Sequence, residues 1–171
     1  MERFLLFVDG SVNPGRKIGF GCYLFLPEKL IDQLTPAELK ALLKLKKFDS
    51  TSSSRLEIET LLWALKELEK TIDKENSIVI YTDSHNIRGL KNRRGRLEKA
   101  NFQMKKRQTE IKNADLYRQF YRFQEQLNFK VIKVAGHSKL SEKNAVDKIF
   151  LEVDRASRKA LREYIKARQS Y

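Results

Sequence analysis

Cysteine is all but absent from this chain, and tryptophan, proline and glycine are scarce: one, one, three and seven residues of 171. The single Cys22 cannot close an internal disulfide, and it has no Cys or His neighbour at metal-ligand spacing. Lying inside the apolar run Phe20–Leu26, it reads as a small buried hydrophobe. There is no Pro/Gly linker, internal repeat or low-complexity tract. No apolar stretch approaches the length needed to span a bilayer, and the N-terminus lacks a signal-peptide layout. The expectation is a reduced, cytoplasmic protein. Acidic residues are in deficit, 22 Asp+Glu against 35 Lys+Arg, for a net charge of +13 and a pI near 9.8. That surplus calls for a polyanionic partner, most simply nucleic acid, with an anionic membrane surface as the alternative.

What remains suits one globular domain: 41% hydrophobic and 10% aromatic residues, enough for a proper core but with little room for two. The continuous apolar run Arg3–Asp9 predicts a central strand covered on both faces. The turn Asn13-Pro14-Gly15 leads into a second strand, Ile18–Leu26, and so short a connection predicts an antiparallel pair. Gly19 and Gly21 imply a close backbone approach. Thr35-Pro36-Ala-Glu38 is a capping-box start to a short helix. Leu43–Phe48 has period two and reads as a strand near an edge. Ser50–Ser54 precedes a helix whose buried stripe is Ile58, Leu61, Leu62, Leu65, Leu68 and Ile72, with Glu57 in its first turn. Ser77–Thr82 is another buried strand, followed by a short helix to Leu90. Arg88–Lys112 is densely basic and interleaved with Phe102 and Met104, a phosphate-binding arm. Ala114–Leu127 predicts a helix, Phe129–Val134 the last strand, and about Glu142 to Arg168 a long closing helix.

Two of the buried strands end in an acid, Asp9 and Asp83. One Asp before Gly is an ordinary turn pair. Two are different, because adjacent strand ends bring such carboxylates within a few ångströms of each other. Like charges tolerate that only with a proton or a cation between them.

In chain order the motifs are Asp9-Gly-Ser, Arg55-Leu-Glu57, Thr82-Asp83-Ser84, a basic segment, Gly136-His137-Ser138 and Asp154-Arg-Ala-Ser-Arg158. Five motifs in this order, each on the expected element, resemble the type 1 ribonuclease H family over nearly the whole chain. The resemblance implies an α/β fold with a five-stranded mixed sheet, strands 1–3 antiparallel, and helices on both faces. It implies an endonuclease that cuts the RNA strand of an RNA–DNA hybrid with two Mg²⁺ ions, Mn²⁺ being the substitute; a monomer is the expected state. Carboxylates and water are the ligands Mg²⁺ prefers, and a metal pair suits in-line phosphodiester hydrolysis. Asp9 would bridge both ions, with Glu57 and Asp83 on one and a fourth carboxylate on the other. His137 resembles the family's loop histidine, a proton carrier or product-release aid.

Two acids compete for the fourth place. Asp147 has the family-like distance from His137, whereas Asp154 has the family-like sequel, with Arg158 and Ala160 behind it. Seven residues apart, they lie about 10 Å from each other along a helix, so only one reaches a compact metal pair. The sequence favours Asp154, with Asp147 as the alternative. Ser52, Ser53 and Ser54 stand where the family has Thr and paired Asn, and would touch phosphates or minor-groove groups. Ser11 and Asn13 would touch RNA 2′-hydroxyls. Arg93, Arg94, Lys105 and Lys106 represent an arm that resembles the family's basic protrusion, without its tryptophans. The insert Pro27–Leu42 is outside the family pattern. Competing readings are a non-catalytic nucleic-acid-binding module, a nuclease of the same fold acting on another nucleic acid, and a partner-binding protein using the insert.

Overall fold

The apolar run that opens the chain becomes β1, Arg3–Asn13, at the centre of a five-stranded sheet of order β3-β2-β1-β4-β5. The computed structural model describes residues 1–135 and 144–169. β2 (Ile18–Pro27) and β3 (Lys44–Phe48) are antiparallel to their neighbours, whereas β4 (Ser77–Thr82) and β5 (Asn128–Lys133) run parallel to β1. Alternation along β1 divides its side chains between two cores. Leu6 and Val8 pack with α2 (Ser53–Leu68) and α4 (Ala114–Gln126). Leu5 and Phe7 pack with Cys22 and with α5 (Ala145–Ala167) on the other face. Burial on both faces is why the run is apolar without interruption.

Helix α2 lies unusually close to the sheet because three glycines face it. A Cβ at Gly21 would stand 2.2 Å from Thr60 Oγ1, and Cβ atoms at Gly19 and Gly10 would stand 2.6 and 2.9 Å from the Leu56 side chain. The start of α2 is thereby pressed against the end of β1 that carries Asp9.

The helix α2 begins at Ser53, so Glu57 lies in its second turn and not its first; of the stretch Ser50–Ser54 expected to precede the helix, Ser53 and Ser54 are part of it. Ile72 is buried, but in the turn beyond the helix end at Leu68. The helix expected to stop at Leu90 continues as α3, His85–Lys99. Helix α4 braces the extension: the Tyr121 hydroxyl donates to Leu90 O at 2.7 Å, and Arg94 pairs with both Glu98 and Glu125. Phe102 is not on the arm's outer surface. It is 7% exposed, packs against Tyr121 and lies under the Arg118 guanidinium, while Met104 stays exposed. On β3 the period-two pattern does not bury Leu45, which remains 47% exposed on the sheet edge. β5 starts and ends one residue earlier than its sequence pattern suggests.

The insert forms a 3-10 turn, Glu28–Leu30, and helix α1, Pro36–Leu42. Its capping box is complete: Glu38 N donates to Thr35 Oγ1 at 3.2 Å and Thr35 N to Glu38 Oε2 at 2.7 Å. Leu30, Ile31, Leu34 and Leu39 pack on the core cluster that holds Ile149, alongside Val146. The insert is a pad beneath the first turns of α5. The expected helix start near Glu142 lies outside the described residues, as does Gly136-His137-Ser138.

Replacing Gly21 with Ala should lower stability by about 1–3 kcal/mol through overpacking against Thr60. Adding Thr60→Ala should recover part of that loss. Urea unfolding of the two variants checks both statements.

Candidate active site

Strand β1 delivers Asp9 to the end of the sheet, on the face that Leu5 and Phe7 share and that α5 covers. Two residues beyond the Phe7–Tyr81 pair on each strand stand Asp9 and Asp83, so the parallel register itself sets these acids opposite each other. Helix α5 crosses this face and brings Asp154 within hydrogen-bonding reach of Asp9. Glu57 approaches from α2 on the opposite face and feels the charge of Asp83. The structure thus sets Asp9 beside both Asp83 and Asp154, and Glu57 beside Asp83. Asp147 stays in the first turn of α5, where its backbone N–H is capped by Asn144 Oδ1 at 2.9 Å. His137 lies outside the described residues.

Burial, the charge of Asp83 and the hydrogen bond with Asp154 push the Asp9 carboxyl up to about 8, against a partial offset from the Gly10 N–H. Burial also raises Glu57, with the Asp83 charge adding to it and a hydrogen bond from Ser84 opposing it. The influence of Asp9 extends to its register partner Cys22, whose thiol is pushed up to about 12 by burial and by the Asp9 charge. These directions describe excess negative charge in a partly desolvated place, which a proton or a cation relieves.

Glu57 and Asp154 are held from behind. Ser84 is the N-cap of α3, accepting from Ile87 N at 3.2 Å while its hydroxyl donates to Glu57 Oε2 at 2.5 Å. Arg158, one turn after Asp154, donates Nε–H to Asp154 Oδ1 at 2.8 Å. Arg55 pairs with Glu59 and Asp115, both at 2.9 Å, and Thr51 donates to Glu59 at 2.7 Å, tying the start of α2 to α4. Among the described residues, no three His, Cys, Asp or Glu side chains are already drawn into a metal-holding arrangement. In charge and donor type the cluster fits a hard divalent cation, since every candidate ligand atom is a carboxylate oxygen.

The other expected contact residues fall on the rim. Ser11 and Asn13 are half-buried at the end of β1, and Asn13 Oδ1 accepts from Arg16 N at 3.0 Å to close the hairpin turn. Ser52 occupies the N-cap position of α2 without making a cap bond, and its buried Oγ has no hydrogen-bond partner. Ser53 is exposed and Ser54 half-buried. Arg93 is committed internally, donating to Asn86 O at 2.9 Å and to Asn86 Oδ1 at 2.5 Å, with its guanidinium over Tyr117. Arg94 is likewise engaged by Glu98 and Glu125. Lys105 and Lys106 are exposed. Sequence reasoning gave no role to Glu59 or Asp115 and no contact to Ser84. The four-residue step from Arg55 to Glu59 was a usable signal for one of them, whereas nothing local points to Asp115, which is 60 residues from Arg55.

The RNase H family model matches residues 1–154. No curated protein matches the chain.

The Asp9 carboxyl sits above its ordinary value of 3.8, so folding favours its protonated form. Its contribution is present at acid pH and is lost as pH rises from about 4 to about 8. In EDTA, Asp9→Asn should therefore be more stable than wild type at pH 9, by on the order of 2–4 kcal/mol. That gap should close on acidification to about pH 4, as read by denaturant midpoints across the pH series.

Proposed function

The chain belongs to the RNase H family, and on that premise we propose that it hydrolyses the RNA strand of RNA–DNA hybrids at the Asp9–Glu57–Asp83–Asp154 cluster. Family membership supports hybrid-directed nuclease activity in general. The observation that carries the assignment to this cluster is the approach of Asp154 to Asp9, which gathers acids from three layers of the fold at one sheet end.

Asp9, Glu57, Asp83 and Asp154 are the residues that would hold two divalent cations, Mg²⁺ or Mn²⁺. When bound, the pair supplies activation of water and stabilisation of charge on the leaving oxygen. Asp9 neighbours both Asp83 and Asp154, so it is the acid placed to be shared. The Ser84 hydroxyl orients Glu57 and the Arg158 guanidinium orients Asp154, so neither acid has to be ordered when substrate arrives. Ser53 presents the exposed hydroxyl at the N-terminus of α2, where anions are favoured, with the buried Ser52 Oγ behind it. Ser11 and Asn13 take the RNA 2′-hydroxyls, and Lys105 and Lys106 with the exposed cations of α3 take backbone phosphates. Arg93 and Arg94 shape that arm through their internal partners and need not leave them. His137 keeps the proton-carrier or product-release role that the family resemblance implies.

The test uses labelled RNA–DNA hybrid, single-stranded RNA, duplex RNA and duplex DNA, each with Mg²⁺ or EDTA. Metal-dependent cutting confined to the RNA of the hybrid is the expected result; binding without cutting would support a non-catalytic module instead. Asp9→Asn should abolish cleavage while keeping hybrid affinity. Asp154→Asn should lose more than the roughly 10–100-fold typical of outer-shell partners. Asp147→Asn should stay near wild type, and equal rates for these two variants would overturn the placement of the fourth acid.

A further inference from the structure

Beyond the acid cluster, on the face that α5 covers, several donors converge on one phenol. Tyr164 lies in the last turns of α5, its ring held against Phe20 of β2 at 5.6 Å between centroids. Lys47 of β3 reaches the same ring, its ammonium 5.1 Å from the centroid and 3.4 Å from the hydroxyl oxygen. Arg168, the C-cap of α5, stacks on the ring with its guanidinium carbon 4.3 Å from the centroid, and donates Nη1–H to the same oxygen.

Two cations from distant parts of the chain thus donate to a single hydroxyl, whose own O–H is left to point at an acceptor. Among the described residues none is supplied. Asp49 pairs with Lys47 at 3.0 Å but is 63% exposed on that side chain, and no carboxylate among the described residues pairs with Arg168. A helix C-terminus on its own favours a cation such as Arg168. It does not account for a lysine brought in from an edge strand. The surroundings have the same sign: from Arg155 to Arg168 the chain carries Arg155, Arg158, Lys159, Arg162, Lys166 and Arg168 against Glu163 alone, and Arg16 and Lys17 are exposed in the turn before β2. Arg155 pairs with Glu152, Lys159 with Glu163 and Arg158 with Asp154.

The place of this cluster relative to the acids follows from the register. Phe20 pairs with Ser11 on one side and with Lys47 on the other, so Lys47 stands level with Ser11, two strand spacings or about 10 Å across the sheet. Tyr164 follows Asp154 by ten residues, about 15 Å along α5.

We propose that Lys47, Tyr164 and Arg168 form a backbone-phosphate site for the substrate duplex, on the opposite face of the sheet from the α3 arm and about four to five base pairs from the scissile bond at about 3.4 Å per base pair. The inference rests on the nucleic-acid reading above. It adds a second anchor, so the duplex is held on both sides of the acids and short substrates miss one of the two holds.

Binding is measured in EDTA, where no cleavage occurs, by fluorescence anisotropy on hybrids of about 6 and about 20 base pairs over a salt series. The double variant Lys47→Gln/Arg168→Gln should bind the long hybrid about 5–20-fold more weakly at about 0.1 M salt. Its log–log salt slope should be shallower by about one to two. Affinity for the short hybrid should be unchanged. Tyr164→Phe should give a smaller loss on the long hybrid, and Lys47→Arg should restore most of the affinity. Arg168→Gln alone lies at the exposed helix end and keeps the test readable if the double variant folds poorly. Wild-type affinity and slope on the long hybrid, or an equal loss on both lengths, would overturn the site. If the length-dependent loss appears but wild type cuts no hybrid in Mg²⁺, the phosphate site stands and the catalytic reading fails.

Discussion

The carboxylate of Asp9 cannot retreat from Asp83 and Asp154, because the strand that carries it is paired to β2 at that residue and to β4 two residues before it. Repulsion among like charges at a half-buried site, with Asp83 at its exposed side, is the constraint that the rest of the fold is built to withstand. Hydrophobic burial supplies the resistance: Leu5, Leu6, Phe7 and Val8 are each 1% exposed or less, which fixes β1 between two cores. The glycines facing α2 press that helix down until Glu57 reaches the same end of the sheet. The response of the cluster is visible in Asp9, driven up to about 8 and hydrogen-bonded to Asp154. A site under such electrostatic load is selective for whatever neutralises it, and oxygen donors in that number favour hard cations.

The insert and the closing helix belong to one argument. Helix α5 starts at Ala145, about two and a half turns before Asp154, and those turns need an apolar surface to rest on. The insert provides it through Ile31, Leu34 and Leu39, packed near Val146 and Ile149. The acid at position 147 lies in the first turn of the helix, while the acid at 154 reaches Asp9 on β1. The segment after β2 and the seating of α5 on the sheet are therefore two sides of one packing solution.

Much of this was legible from the residues. The order of elements along the chain and the antiparallel pairing of β1 with β2 follow from unbroken apolar runs and a short turn, whereas β1, expected to end at Asp9, runs on to Asn13 because its pairing with β2 continues that far. The capping box at Thr35 was readable because its reciprocal bonds need only residues three apart. The failures lie where tertiary contacts decide. Nothing local says that Tyr121 and Glu125 would carry α3 past Leu90 to Lys99, or that Phe102 would turn inward under Arg118. Leu45 has the spacing of a buried residue but lies on an edge that no helix fully covers. Between Asp147 and Asp154, helical spacing showed that one must be excluded, and the position of α5 on the sheet brings Asp154 to Asp9.

The most direct measurement is calorimetric titration of Mg²⁺ into the wild-type protein and into Asp9→Asn, each without nucleic acid. If the four acids form a cation site centred on Asp9, wild type binds Mg²⁺ with release of protons near pH 7, because the Asp9 carboxyl is held up to about 8. The variant should then show neither the binding nor the proton release. Equal Mg²⁺ binding by both proteins, with no proton release from either, would contradict the account.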